Sequence, residues 1–137
     1  RQMCIRDRIQ GICMKTAITP MISIKGDEKA IRSLITILLD NAVKYTNERG
    51  RIDVTLGKKK NRIYLSVFNT TEYISKEQTS RLFDRFYRTD ISRNSQTGGY
   101  GLGLSIAAAT ADSHKGKIMA ETEDEKSLRI TVTFPGQ

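Results

Sequence analysis

The chain has 137 residues, of which 38% are hydrophobic and 28% charged, so it is long enough for one globular domain with a buried core. Its 23 Lys and Arg residues outnumber its 15 Asp and Glu residues, and the formal charge of +8 indicates an anionic partner: a nucleotide, a nucleic acid, an acidic protein surface or a membrane face. No apolar run approaches the ~18 to 20 residues of a membrane span, and Cys4 and Cys13 are too few for a disulfide framework or a metal site, which indicates reduced thiols.

The N-terminal part of the chain divides into a leader and a region with strand-like patterning. Residues 1–10 hold three arginines without apolar periodicity, and they resemble the translated adapter sequence found at the ends of assembled gene fragments. We therefore predict a non-native leader or linker over 1–10 and a folded domain over 11–137. Apolar residues on alternate positions between Gly11 and Lys25 predict one or two short strands at a sheet edge.

A long amphipathic helix follows. Asp27 stands at the N-cap position, and apolar residues recur at steps of three and four through Ile31, Leu34, Ile35, Leu38, Leu39 and Ala42. This spacing predicts a helix over residues 28–47 with one buried face. The polar run that closes on Gly50 is typical of a helix stop.

Two alternating segments, 51–57 and 62–69, predict antiparallel strands whose inward faces carry Ile, Val and Leu. The lysine-rich turn between them is interpreted as a solvated hairpin tip, with nucleic-acid contact as the other reading. Ser75 and Gln78 predict a capping box for a short helix that bears Leu82, Phe83 and Phe86. The polar residues 88–97 have no periodicity and predict a functional loop.

The last part of the chain begins with a glycine-rich turn. Four glycines within residues 98–103 precede good helix formers, so the final glycines are predicted at the N-terminus of a helix that ends near Gly116. Such a turn either presents backbone N–H groups to phosphate or only lets a helix pack closely on a sheet. Segments 117–122 and 128–134 predict two more strands. The order of elements predicts an α/β fold, a two-layer sandwich of a mixed, mostly antiparallel sheet with helices on one face.

Polar side chains adjoin the apolar stripe of the first predicted helix. Asn41, Lys44 and Tyr45 lie at steps of three and four residues and therefore share one side of it. An amide oxygen suits Mg²⁺, a lysine suits a phosphate, and a tyrosine ring can stack on a base. Taken singly, each has an ordinary interpretation as a surface or core-edge residue. Together with the arginine-bearing loop and the glycine turn, they indicate a site for a nucleotide and Mg²⁺.

Three strings carry a resemblance to a known family: Leu-Leu-Asp-Asn-Ala-Val-Lys-Tyr-Thr at 38–46, Leu-Phe-Asp-Arg-Phe-Tyr-Arg-Thr-Asp at 82–90 and Gly-Gly-Tyr-Gly-Leu-Gly-Leu-Ser-Ile at 98–106. They resemble, in order and spacing, the N, F and G2 boxes of the catalytic, ATP-binding domain of bacterial sensor histidine kinases. The match runs from about Ile24 to Phe134. The resemblance implies the Bergerat-type ATP-binding fold shared with the ATPases of DNA gyrase, a heat-shock chaperone and a mismatch-repair protein, with a lid over ATP.

The resemblance also implies roles for individual residues. Asn41 would ligate Mg²⁺, Lys44 would contact phosphate, and Tyr45 would pack near the nucleotide. Arg88 and Arg93 would reach toward the β- and γ-phosphates from the lid. The predicted catalytic set is therefore Asn41, Lys44, Arg88 and Arg93. The other predicted nucleotide contacts are Asn69, Ile74, Phe86, Gly99, Tyr100, Gly101, Leu102, Gly103 and Leu104.

Two departures from the family pattern bear on function. Segment 69–74 has Asn69 in the place of the adenine-reading aspartate and lacks the family's two glycines, which alters base recognition without excluding it because an amide can accept and donate. Ile37 stands where the related ATPases hold a water-activating glutamate, and this favours phosphoryl transfer to a histidine over hydrolysis. His114 is interpreted as a structural residue.

The sequence thus predicts a protein histidine kinase fragment that uses ATP and Mg²⁺ to phosphorylate a histidine on a separate phosphoacceptor domain, with a response regulator as the later recipient. A degenerate regulatory module with little ATP affinity is the alternative. A nucleic-acid binder ranks last because it rests only on net charge and the lysine-rich turn. We expect a monomeric fragment of a dimeric, membrane-anchored kinase, with this domain in the cytoplasm.

Overall fold

The computed structural model describes residues 2–5, 12–18, 27–84 and 103–136. In chain order its elements are β1 (Gln2–Ile5), β2 (Ile12–Ile18), α1 (Glu28–Tyr45), β3 (Arg51–Lys59), β4 (Arg62–Thr70), α2 (Lys76–Arg81), α3 (Gly103–Ser113), β5 (Lys117–Glu121) and β6 (Ser127–Pro135). The helices and strands predicted within 27–84 and 103–136 all have counterparts among them.

The six described strands form one sheet in the order β1-β2-β3-β4-β6-β5. β2 runs parallel to β3, and the other described pairs are antiparallel. The mixed, mostly antiparallel sheet predicted from the sequence is therefore confirmed. The register places Val67 of β4 opposite both Val54 of β3 and Ile130 of β6, so apolar side chains continue across the central strands on one face.

The helices cover that apolar face and complete the predicted two layers. Leu34 and Leu38 of α1 and Ala107 of α3 are fully buried, and α3 packs beside α1 and against β5 and β6. Burial of one leucine contributes about 1.5–3 kcal/mol of transfer free energy. The strands contribute to the same core Ile52, Val54, Leu65, Val67, Leu128, Ile130, Val132 and Phe134.

The opposite face of the sheet is polar and contains a stacked cluster. The Phe68 ring lies between the guanidinium groups of Arg51 and Arg129, each 5.0 Å from the ring centroid. Arg51 also pairs with Asp53 at 3.1 Å, and Arg129 donates to the Ser66 hydroxyl at 2.7 Å. Side chains of the strands themselves therefore cover this part of the face.

The ends of α1 follow from local side-chain chemistry. The Asp27 side chain accepts hydrogen bonds from the first-turn amides of Lys29 and Ala30, as the predicted N-cap requires. The helix ends at Tyr45, two residues before the predicted end at 47. The reason is Thr46, which is extended (φ −66°, ψ 134°).

The capping box predicted for α2 is confirmed. The Gln78 amide donates to the Ser75 hydroxyl at 3.0 Å, and the Ser75 amide donates to the Gln78 side chain at 2.8 Å. The helix ends at Arg81, so Leu82 and Phe83 follow it and do not lie within it.

The N-terminal strands differ from the prediction in one respect. Residues 2–5, which the sequence reasoning left outside the fold, form β1 and pair with β2. β2 therefore lies inside the described sheet and not at its edge, because strand order depends on pairing that local composition does not reveal. The assignment of 1–10 as non-native stays a prediction.

Candidate functional site

The last two turns of α1 hold three of the predicted site residues. Asn41, Lys44 and Tyr45 are half-buried beside the buried stripe that contains Leu38 and Ala42. The Lys44 Nζ lies 5.4 Å from the Tyr45 ring centroid, so the cation rests over the ring. Within the described ranges the Asn41 side chain has no hydrogen-bond partner, and its polar atoms are not sealed from solvent. The amide is therefore open to a ligand.

The N-terminus of α3 meets α1 one turn before Asn41. A Cβ placed on Gly103 would lie 3.7 Å from Ile37 Cγ2, which is ordinary contact distance. The first-turn N–H groups of a helix carry partial positive charge and favour an anion. The fold therefore brings the start of the glycine-led helix beside the polar end of α1, although 62 positions separate Asn41 from Gly103 in the sequence.

The end of β4 supplies a third piece. Asn69 is only 2% exposed, and its Nδ2 donates to the backbone oxygen of Thr70 at 3.0 Å. In the part of the chain that the structure describes, the Asn69 Oδ1 accepts no hydrogen bond. This buried side chain thus has one amide end fixed by the backbone and one acceptor left for a ligand.

A polar network ties the end of β4 to the end of α1. The Thr70 hydroxyl donates to Asn47 Oδ1 at 2.7 Å and accepts from the Arg51 amide at 2.9 Å. Gly50 is buried here, and a Cβ at this position would overlap with Thr70 Oγ1, Asn47 Oδ1 and Thr46 Cγ2. The sequence reasoning interpreted Gly50 only as a helix stop and missed this connection. The one local sequence signal for this connection was the run of polar residues that ends at Gly50.

Residues 26–137 match the model of the histidine kinase-, DNA gyrase B- and HSP90-like ATPase family. The chain belongs to this family. The match covers most of the chain, and it contains every predicted site residue.

Relatives include sensor histidine kinases from two bacteria. The chain is 41% identical over 114 residues to sensor histidine kinase YkoH of Bacillus subtilis, covering 83% of this chain and 25% of that protein. It is 42% identical over 119 residues to sensor protein CiaH of Streptococcus pneumoniae, covering 84% of this chain and 27% of that protein. The chain therefore spans about a quarter of the length of these relatives.

Solved structures share the fold. The mycobacterial sensor histidine kinase MprB matches with a TM-score of 0.81 at 24% identity, covering 92% of this chain and 84% of that chain. The catalytic domain of histidine kinase ThkA matches with a TM-score of 0.73 at 26% identity, covering 90% and 79%. The Bergerat-type fold implied by the sequence is therefore confirmed.

The loop after β4 is where this chain departs from the family motif, and it is firmly attached. The Thr71 amide donates to Lys126 O and the Ile74 amide donates to Glu125 O, each at 2.9 Å. Tyr73 is 55% exposed, and its hydroxyl donates to Glu125 at 3.3 Å. The negative charge of Glu125 is the largest cause that raises the pKa of Tyr73, followed by burial and this hydrogen bond.

Other predicted contacts pack in the core or lie outside the described residues. Ile74 is 5% exposed and belongs to the core. Leu104 is half-buried and packs against that core. The predicted contacts outside the described residues are Phe86, Arg88, Arg93, Gly99, Tyr100, Gly101 and Leu102. Their roles stay predictions.

His114 lies at the other end of α1 from Asn41. Its Nε2 accepts from the Asp27 amide at 3.1 Å, and its Nδ1 donates to the Thr110 backbone oxygen at 2.8 Å. The ring also contacts the Phe134 ring edge to face, with centroids 6.3 Å apart. These contacts join the start of α1 to the end of α3, which agrees with a structural role.

No group of three or more His, Cys, Asp or Glu side chains in the described ranges could hold a metal ion. No helix within 27–84 or 103–136 is long and apolar enough to span a membrane.

Proposed function

We propose that this chain binds ATP with Mg²⁺ and donates the γ-phosphoryl group to a histidine on a separate phosphoacceptor domain, as part of two-component signalling. One observation carries the proposal: the N-terminus of α3 rests on Ile37, one turn from the open amide of Asn41. This arrangement offers an anion site and an oxygen ligand for a cation side by side. Family membership and the sensor kinase relatives support the same conclusion.

Different residues of the chain would bind the metal ion and the phosphates. The Asn41 oxygen would bind Mg²⁺, and Lys44 would place positive charge near the phosphates. Arg88 and Arg93 would stabilise the charge that develops on the transferred group, as the family resemblance implies. Mg²⁺ held by Asn41 would neutralise negative charge on the phosphates.

Asn69 retains a means of recognising adenine. Because its Nδ2 is used by the backbone oxygen of Thr70, its Oδ1 stays an acceptor and can receive the 6-amino group of adenine. Guanine has an oxygen at that position, and two acceptors would then face each other. We therefore propose a preference for ATP over GTP of about tenfold or more, since an unpaired buried polar group costs about 1–3 kcal/mol.

Ile37 supports transfer to a histidine over hydrolysis. Its half-buried apolar side chain packs toward Gly103 and has no group that could take a proton from water. Phosphoryl transfer to an imidazole needs no such base, because the neutral ring is itself a nucleophile.

This chain spans only about a quarter of the length of its relatives, so the architecture of the full-length protein is proposed here from their similarity. We propose a dimeric, membrane-anchored kinase with this domain in the cytoplasm and a response regulator as partner. A solved structure contains histidine kinase ThkA in complex with response regulator protein TrrA. The comparisons do not support the alternative of a degenerate module.

The test is calorimetric titration of the chain with a non-hydrolysable ATP analogue, with and without Mg²⁺, and with the matching GTP analogue. We expect Mg²⁺-dependent binding in the micromolar to sub-millimolar range and weaker binding of the guanine nucleotide. Phosphorylation of an added phosphoacceptor domain from radiolabelled ATP then tests transfer. A folded sample that binds no nucleotide would overturn the proposal.

A further inference from the structure

The turn between β5 and β6 is ordered by its own side chains. Asp124 Oδ1 accepts from the Lys126 amide at 2.9 Å and from the Ser127 hydroxyl at 2.8 Å. The Glu125 amide donates to the Thr122 hydroxyl at 3.0 Å, and Glu125 has a positive φ of 62°. A plain connection between antiparallel strands does not need this many side-chain bonds, so the shape of the turn is specified.

The charge state of Asp124 agrees with this role. The hydrogen bond from the Lys126 amide is the largest cause that lowers the pKa of the Asp124 carboxyl, and the Ser127 hydroxyl adds to it. Both bonds favour the carboxylate form. Asp124 is therefore held as an acceptor at neutral pH.

The same turn holds the loop of residues 71–74 by its backbone. Its carbonyl groups at Glu125 and Lys126 accept from Ile74 and Thr71, so the two ends of the loop are fixed. Thr71 is 6% exposed and Ile74 is 5% exposed, which places both anchored residues inside the protein. Only the middle of the loop is exposed, and there the Tyr73 hydroxyl makes a further bond to Glu125.

This attachment adds to the constraint that the sheet places on Asn69, whose backbone is paired with Ile52 and Leu128. Asn69 is two residues before Thr71, so the anchor at Lys126 fixes the chain just beyond the buried amide. Between Asn69 and Thr71, Thr70 is tied to Asn47. A shift of the turn would therefore act on Asn69 through Thr70 and Thr71, the two residues that follow it and that are both held by hydrogen bonds.

We propose that the β5–β6 turn is a positioning element for the base-binding loop and that Asp124 is its positioning residue. The inference rests on the proposed nucleotide site. Asp124 touches neither base nor phosphate in this scheme, and it acts through the carbonyl groups of Glu125 and Lys126. Its loss is expected to weaken recognition of the base and to leave binding of the phosphates unchanged.

The experiment compares Asp124→Ala with Asp124→Asn and with Glu123→Ala, a matched loss of negative charge in the same turn. Asn keeps an oxygen acceptor for Lys126 and Ser127, and Glu123 is exposed. Two probes are titrated in the presence of Mg²⁺: a non-hydrolysable ATP analogue and inorganic tripolyphosphate. Amide hydrogen exchange at Thr71 and Ile74 is measured without nucleotide.

We expect Asp124→Ala to weaken the ATP analogue about threefold to tenfold, the scale of one lost positioning hydrogen bond. Tripolyphosphate affinity should stay unchanged, and the amides of Thr71 and Ile74 should exchange faster. Asp124→Asn and Glu123→Ala should match the parent protein in all three measurements.

The outcomes separate the two proposals. A parent protein that binds no ATP analogue would overturn the proposed function itself, and the positioning role with it. A parent that binds normally while Asp124→Ala binds equally well, or loses both probes in equal measure, would overturn the positioning role alone. If Asp124→Ala does not fold, Tyr73→Phe replaces it in the experiment, because this change removes only the hydroxyl that bonds to Glu125. We expect Tyr73→Phe to weaken binding of the ATP analogue and to leave binding of tripolyphosphate unchanged. Equal binding of the ATP analogue by Tyr73→Phe would then overturn the positioning role.

Discussion

Gly50 offers a single-methyl test of the connection between α1 and the end of β4. A Cβ at this position overlaps with Thr70 Oγ1 and Asn47 Oδ1, the two atoms that form the 2.7 Å hydrogen bond across the junction. Gly50→Ala must therefore push these side chains apart or shift the backbone. Both responses break the bond from Thr70 to Asn47, and the second also strains the bond from the Arg51 amide.

The expected loss of stability follows from these contacts. Overpacking at a buried site costs about 1–3 kcal/mol, and each lost hydrogen bond costs about 0.5–1.5 kcal/mol. We expect Gly50→Ala to lower the free energy of unfolding by about 2–4 kcal/mol, a large part of the roughly 5–15 kcal/mol typical of a domain.

Urea denaturation followed by circular dichroism measures this loss. Gly103→Ala is the matched control, because a Cβ there meets Ile37 at 3.7 Å and α3 tolerates alanine. In an Asn47→Ala background, Gly50→Ala should cost less, since one overlapping atom is gone. A Gly50→Ala protein as stable as the parent, or a Gly103→Ala protein equally destabilised, would refute the reasoning.

Asn41→Ala should abolish most Mg²⁺-dependent nucleotide binding in calorimetry while circular dichroism stays unchanged, with Asp40→Ala on the exposed side of α1 as control; unchanged affinity would disprove the site assignment. His114→Ala should lower the free energy of unfolding, measured by urea denaturation, by about 0.5–1.5 kcal/mol, because it removes the hydrogen bond that the exposed Asp27 amide donates to the ring; equal stability would contradict the structural role. Because the folded pKa of Asp124 lies below its ordinary value of 3.8, its stabilising effect is present above that value and is lost as pH falls through the folded pKa. We therefore expect the free energy of unfolding of the parent protein to fall more steeply below about pH 4 than that of Asp124→Asn. Parallel curves for the two proteins would contradict this stabilising effect of Asp124.

Local patterns in the sequence determined most of the helices and strands of this molecule. The three- and four-residue spacing from Ile31 to Ala42 specified α1, and the pair Ser75 and Gln78 specified the start of α2, because helix periodicity and capping depend on residues a few positions apart. Alternation with a period of two specified β3, β4 and β6. The order of the three motif strings identified the family before any contact was known.

Only the tertiary structure decided which distant residues meet. The bond from Asp27 to His114 joins residues 87 positions apart, and the bond from Thr70 to Asn47 joins residues 23 apart. No local sequence pattern indicates the parallel pairing of β2 with β3. The same holds for the hydrogen bonds between the β5–β6 turn and residues 71–74. Periodicity fixes which face of an element is buried, but it does not fix which partner covers that face. Partners are selected when the whole core packs at once, so the supports of the site became visible only in the folded chain.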